Sequence, residues 1–271
     1  MFASISFEGL EKSPTFSYAA KLPFFSQRDQ LEFRPGLNIL FGPNGCGKTT
    51  LLRMLAHRMC AVQGGVSTVT HNALWEFLRI GEEPRDPVGL TIRHDGQPVL
   101  YCDPREAKGI SGGSFDDDFF DDGLAEVIGG KRMSHGENAA RRIDKTVAIL
   151  AGKLAAPSGI PWTEKKSGLN STWTKAAEAV EALLAPSAPP GPMTVLLDEP
   201  ESNFSMVWQS NLWKVLSKPE ILEKFQVIVA SHSVFSLGIP GANYVECVPG
   251  YVESATAVLT RKAEALLAAQ G

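Results

Sequence analysis

The clearest strand signals are Leu37 to Phe41, Thr194 to Leu197 and Gln226 to Ala230, and the last two are near-continuous apolar runs. A strand open to water on one face alternates apolar and polar residues, so runs without that alternation predict central strands covered by helices on both sides. Elsewhere the period changes to that of helices, over Lys48 to Met59, about Glu137 to Leu154, Thr172 to Leu184, and Ser205 to Leu216. In the second of these, Ala140, Ile143, Val147, Leu150 and Leu154 recur at three- and four-residue steps and predict one apolar stripe. Ala185 to Pro192 reads APSAPPGP. Proline fixes φ and lacks the amide donor, so this segment is a connector. Strands alternating with helices predict an α/β fold with a mostly parallel sheet. No internal repeat or long heptad array occurs.

Composition narrows the class. At 271 residues, 44% hydrophobic and 21% charged, the chain can bury a large core, which excludes a disordered or collagen-like polypeptide. No apolar stretch approaches the roughly 18 residues that span a bilayer, and the opening residues lack the order of a secretory signal, so a cytoplasmic protein is expected. The formal net charge of -4 does not favour a polyanionic partner. DNA remains a possible partner through a local patch only. Cys46, Cys60, Cys102 and Cys247 are scattered without metal-binding spacing, so reduced thiols are expected.

The strongest chemical signal is Gly42-Pro43-Asn44-Gly45-Cys46-Gly47-Lys48-Thr49, followed by Thr50, which fits GxxxxGK[ST] between a strand and a helix. Glycines let backbone N–H groups converge on a phosphate, and the helix N-terminus adds about half a positive charge. Lys48 is expected on the β- and γ-phosphates of ATP and Thr49 on Mg²⁺. MTVLLDEPES then places Asp198 and Glu199 at the end of a buried strand, where open α/β sheets bind ligands. Asp198 suits a hold on Mg²⁺ and Glu199 suits orienting or deprotonating an attacking water. A third run, VIVASHS, ends in Ser231-His232-Ser233, which predicts His232 beside the γ-phosphate.

Together GPNGCGKT, LLDEP and a strand ending in SH resemble the ATP-binding-cassette (ABC) ATPases. The resemblance implies a P-loop ATPase with a mostly parallel sheet flanked by helices, an N-terminal antiparallel β portion and a helical lobe. It also implies a serine-glycine signature opening a helix and capping the nucleotide of an opposite subunit. Two segments compete for that role, Ser111-Gly112-Gly113 and Ser134-His135-Gly136-Glu137. The first runs into Asp116, Asp117, Asp118, Asp121 and Asp122, which would repel a polyphosphate; the second opens the striped helix. Ser134, Gly136 and Glu137 are therefore the predicted signature. LDEPES and the glutamate after the signature glycine look like the soluble RecF- and chromosome-structure-like branch, which includes small bacterial predicted ATPases of AAA type.

One ATPase domain is expected over 1–271, with the helical lobe and an insertion within about 105–192. The expected function is a Mg²⁺-dependent ATPase that dimerises head to tail on ATP and rearranges a partner protein or DNA. Alternatives are the ATPase subunit of a transporter or an ATP sensor controlling an effector. Gln63 and Gln97 are the candidates for a glutamine loop, and Phe33 and Arg34 for the adenine platform. Phe115, Phe119 and Phe120 make the acidic segment either a solvated loop or a docking segment. Trp173, Trp208 and Trp213 read as packing residues, and Arg141 and Arg142 as a solvent-facing edge.

Overall fold

A computed structural model of the chain describes residues 1–59, 61–63, 66–67, 88–104, 135–156, 178, 181–202 and 204–269. Ser134, Ser111, Trp173, the acidic segment at 115–122 and most of the expected helical lobe lie outside the described residues.

The predicted strands form one sheet. Its order is β10 (Asn243–Glu246), β3 (Leu37–Phe41), β9 (Phe225–Ser231), β8 (Met193–Asp198), β7 (Val99–Cys102), β4 (Val62–Gln63) and β5 (Val66–Ser67). All neighbours pair in parallel except β4 with β5. The near-continuous apolar strands β8 and β9 stand inside the sheet, as the pattern predicts. A second sheet, β2 (Gln30–Glu32), β1 (Phe2–Ser6) and β6 (Thr91–His94), is antiparallel and accounts for the N-terminal β portion.

Successive strand residues face opposite ways, so each central strand feeds two cores. Leu40, Leu196 and Ile228 pack with Leu51, Leu52 and Leu55 of α2 (Lys48–Arg58) and with Phe24 and Phe25 of the short α1 (Pro23–Ser26). Ile39, Val195 and Val227 pack on the other face with Ile143 and Leu150 of α3 (His135–Leu150) and Leu212, Trp213 and Leu216 of α4 (Met206–Leu216). Full burial stabilises by about 1.5–3 kcal/mol per large apolar side chain. A short α5 (Pro219–Leu222) and the C-terminal α6 (Tyr251–Ala268) complete the described helices.

Helix α3 stops four residues before the predicted Leu154. Gly152 takes φ 70°, Lys153 N–H donates to the Ala148 carbonyl, and the chain leaves the helix there. Leu154 is consequently 45% exposed rather than part of the stripe.

Two polar residues interrupt the apolar strands, and Gln226 joins the two sheets. The Gln226 side chain accepts from Phe2 N–H (2.8 Å) and Thr194 Oγ1 (2.9 Å), and donates to the carbonyls of Phe2 (2.8 Å) and Arg34 (3.1 Å). Asn38 accepts from Arg34 N–H and Asn243 Nδ2, and donates to the Arg34 carbonyl.

Candidate functional site

Parallel pairing brings three strand ends side by side. Phe41 is in register with Ser231, and Asp198 with Ala230, so β3, β8 and β9 release their chains at one edge of the sheet. That edge is where the sequence motifs meet.

The loop after β3 turns tightly. Gly47 caps α2 with φ 118°, and a Cβ there would lie 2.9 Å from Phe25 and 3.2 Å from Phe24. A Cβ on Gly42 would lie 2.6 Å from the Cβ of Cys247. Both positions require glycine. Asn44 and Gly45 form the exposed tip, and Phe24 N–H fixes the loop from below by donating to the Cys46 carbonyl at 3.0 Å. The Lys48 side chain folds back under the loop and donates to the carbonyls of Gly42 (2.9 Å) and Pro43 (3.0 Å). With α2 beginning at Lys48, a cation stands beside the first N–H groups of a helix, which have no intrahelical partner, the chemistry of an anion site. Cys46 is drawn down to about 6 by its hydrogen bond with Cys247, against the opposing effect of burial and with help from the Lys48 charge, while Cys247 is pushed up.

Thr49, on the first turn of α2, donates from Oγ1 to Asp198 Oδ1 at 2.9 Å. Asp198 is fully buried. A hydroxyl and a carboxylate oxygen are hard donors, and Mg²⁺ is ordinarily held by one or two such groups together with phosphate oxygens and water, so this pair fits that ion. Thr50 follows on the same turn, half-buried.

Glu199 stands at φ 46°, the only non-glycine with positive φ among the described residues. Such a conformation costs on the order of 1–2 kcal/mol for a residue with a Cβ. It persists because Glu199 N–H donates to the Ala230 carbonyl (2.9 Å) and Ser202 Oγ donates to Glu199 Oε2 (3.1 Å). Glu199 Oε1 lies 3.4 Å from His232 Nε2, and both side chains are partly open to solvent. A partly exposed carboxylate and imidazole, held by strained backbone next to an anion site, can orient and deprotonate a water.

Two residues at this edge escaped the sequence reading. Glu201, 5% exposed, accepts at Oε1 from Ser231 Oγ (2.6 Å), His232 N–H (2.8 Å) and Ser233 N–H (3.0 Å). The third acidic residue of LDEPES was its signal. Asp103, fully buried, follows β7 directly after the Cys102–Leu197 pairing, so it stands beside Asp198 in the next register position; Arg53 of α2 approaches it at 3.5 Å. Its signal was an apolar run, VLYC, ending in a carboxylate.

The other expectations divide. Gly136 and Glu137 lie on the first turn of α3. Gln97 sits at the opposite edge of the sheet, bonded to Asp95 (3.1 Å) and the Gly191 carbonyl, and does not reach the site. Nothing in the described geometry concerns the Gln63 side chain. Phe33 is buried against Phe2 with ring centroids 6.4 Å apart, so it offers no face to a base, and Arg34 is engaged through its backbone. Trp213 is buried and Trp208 stacks on Phe204 at 3.8 Å, both as packing residues. Arg141 is exposed, while Arg142 is half-buried and donates to the Pro104 carbonyl at 3.5 Å.

A family profile described as an AAA domain matches residues 22–57, the span from α1 through the phosphate loop and α2. The phosphate import ATP-binding protein PstB of Thermotoga maritima is 24% identical over 205 residues, covering 74% of this chain and 71% of that protein. Among solved structures, the dimeric bacterial ABC transporter cassette MJ0796 is similar over 80% of this chain and 84% of its own, at 13% identity and a TM-score of 0.31.

Proposed function

We propose that this chain, an ABC-type P-loop ATPase and therefore an ATP hydrolase, uses Mg²⁺ and closes head to tail as a homodimer on ATP to rearrange a partner protein or DNA. The observation that carries the reading is the convergence of Lys48, the Thr49–Asp198 pair and the Glu199–His232 pair on three adjacent strand ends. Lys48 binds the β- and γ-phosphates by exchanging its carbonyl partners for phosphate oxygens. Thr49 and Asp198 hold Mg²⁺, which supplies charge neutralisation to the phosphates. Glu199 orients and deprotonates the attacking water, and His232 contacts the γ-phosphate side. Ser134 and Gly136, with Glu137, cap the nucleotide of the opposing subunit at the start of α3. The domain boundaries follow, as one ATPase unit over 1–271 whose lobe lies within about 105–192.

A cytoplasmic setting suits this reading, and no helix among the described residues is long and apolar enough to cross a membrane. Size-exclusion chromatography of Glu199→Gln with ATP and Mg²⁺ tests it. The expected result is an ATP-dependent dimer that ADP does not produce; a monomer under both conditions, with ATP bound, overturns the shared-site reading. A transporter role is the second reading, favoured by the name of the PstB relative. It requires a membrane partner, and co-purification from detergent-solubilised membranes with a multi-span protein would establish it.

A further inference from the structure

We infer that Glu201 is a positioning residue of this site: it holds the Ser231-His232-Ser233 turn so that His232 meets Glu199. The inference rests on the ATPase reading above and deepens it, because it specifies how the two strand ends are locked together.

Three hydrogen bonds from three consecutive residues converge on one carboxylate oxygen, Glu201 Oε1, at 2.6, 2.8 and 3.0 Å. Hydrogen bonds to a carboxylate are roughly twice as strong as neutral ones, and burial of Glu201 excludes water from competing for them. The middle donor is the backbone N–H of His232 itself. The imidazole is thus fixed at its root, while Glu199, two residues before Glu201, is fixed by the same turn. Ser202 N–H donates to the Glu199 carbonyl at 3.0 Å and closes that turn. The separation of His232 Nε2 from Glu199 Oε1 is therefore set within one short polar frame spanning β8 and β9. Gln209 of α4 accepts from Ser233 Oγ at 2.9 Å, which anchors only the far end of the histidine turn.

The contact being set is longer than an ordinary hydrogen bond, at 3.4 Å against about 2.7–3.2 Å. A displacement near 1 Å at a reacting centre costs on the order of 10²-fold in rate, so the frame matters to turnover and not only to folding. The second oxygen carries independent information. Glu201 Oε2 is buried without a hydrogen-bond partner, so all of the polar hold passes through Oε1. An amide could supply that oxygen and place its NH₂ where Oε2 stands; a carboxylate shortened by one methylene could not reach. Geometry and charge can therefore be separated by substitution.

The test measures kcat and KM for ATP, and ADP affinity by calorimetry, in wild type, E201A, E201D, E201Q, H232A and the E201A/H232A double variant. E201A and E201D are expected to lower kcat as far as H232A does, with KM and ADP affinity within about twofold of wild type, while E201Q recovers most of the loss. Because Glu201 acts through His232, the double variant should turn over no more slowly than H232A within about twofold, the ordinary error of additivity. Losses that multiply in the double variant overturn the inference, as does loss of ADP binding in parallel with kcat. Wild-type turnover in H232A is a different failure: it removes His232 from the mechanism and the inference with it, and that single variant reveals it. If E201A does not fold, E201D and E201D/H232A carry the same comparison.

Discussion

The two edges of the parallel sheet handle polar groups in opposite ways. At the amino edge, Gln226 and Asn38 each use both oxygen and nitrogen in bonds to backbone, and Asp95 accepts from the N–H groups of Gln97 (3.1 Å) and Gly191 (3.0 Å). At the carboxyl edge, Glu199 occupies left-handed backbone, Glu201 keeps one oxygen unbonded, and His232 stands 3.4 Å from a carboxylate. The same strands run through both edges, so propensity and packing do not explain the contrast. Satisfied networks stabilise and specify a fold; strained and under-bonded groups are tolerated where they meet a ligand. The amino edge joins the two sheets, and the carboxyl edge gathers the groups of the proposed ATPase site.

Lys48→Ala and Glu199→Gln at the carboxyl edge should break function and leave folding intact. Lys48→Ala is expected to have the largest effect, abolishing measurable ATP turnover, because it deletes the point charge beneath the phosphate loop. Radiolabelled ATP hydrolysed at the wild-type rate would remove the phosphate-loop assignment. Glu199→Gln should keep ATP binding and slow hydrolysis by about 10² or more, the scale of losing a positioned base. Calorimetry beside a phosphate-release assay separates the two effects, and undiminished release would move the base elsewhere. In both variants the urea midpoint should stay near wild type.

Much of this contrast is readable in the sequence, for reasons that differ by edge. The carboxyl edge is legible because GPNGCGKT, LLDEP and SHS each combine a local backbone demand with a chemical group, and periodicity places the strands before them. The cores are legible because Val195, Val227 and their neighbours are apolar on both faces. Glu201 and Asp103 were missed because their significance lies between strands: one turn capping another, and one register position beside Asp198. Phe33 was misplaced as a base platform because proximity in sequence to the phosphate loop says nothing about which face of the chain is covered. Gln97 fails on topology, since it precedes β7 rather than following it. The end of α3 was overrun because a stripe was extended through Gly152, whose positive φ outweighs a well-placed Leu154.

At the amino edge the expected consequence is reversed. Gln226→Ala leaves Phe2 N–H, Thr194 Oγ1 and two backbone carbonyls without their partner in a buried place. Loss of such a network costs about 2–4 kcal/mol, from unmet groups at about 1–3 kcal/mol each with partial relaxation. Urea unfolding should show that loss, with kcat at 20 °C close to wild type. A kcat loss without a stability loss would show that the two edges are not separable.

The smallest expected effect comes from His94, and it sharpens the comparison through pH. Gly96 N–H donates to His94 Nδ1 at 3.0 Å, so Nδ1 is the acceptor and the ring proton sits on Nε2, which donates to the Leu183 carbonyl at 3.2 Å. Burial lowers the His94 pKa below 6.5, and the Arg58 guanidinium, which donates to the same Leu183 carbonyl at 2.8 Å, lowers it further; the Leu183 carbonyl and Asp95 oppose the shift. With the folded pKa below the unfolded one, the unfolded chain binds a proton that the folded chain refuses. The contribution of the neutral ring to stability is therefore complete above about pH 6.5 and is lost as pH falls below it, with a slope of at most about 1.4 kcal/mol per pH unit. Protonating Nδ1 would also forfeit the bond from Gly96. Urea midpoints from pH 7.5 to 5.5 should fall for wild type by more than for His94→Gln, which cannot titrate, and the two curves should converge toward low pH. Turnover at pH 7.5 should be the same in both, because the ring lies at the amino edge. Curves that stay parallel across this range would mean that His94 does not carry the pH dependence, and that the amino edge is as indifferent to protons as its satisfied amides are.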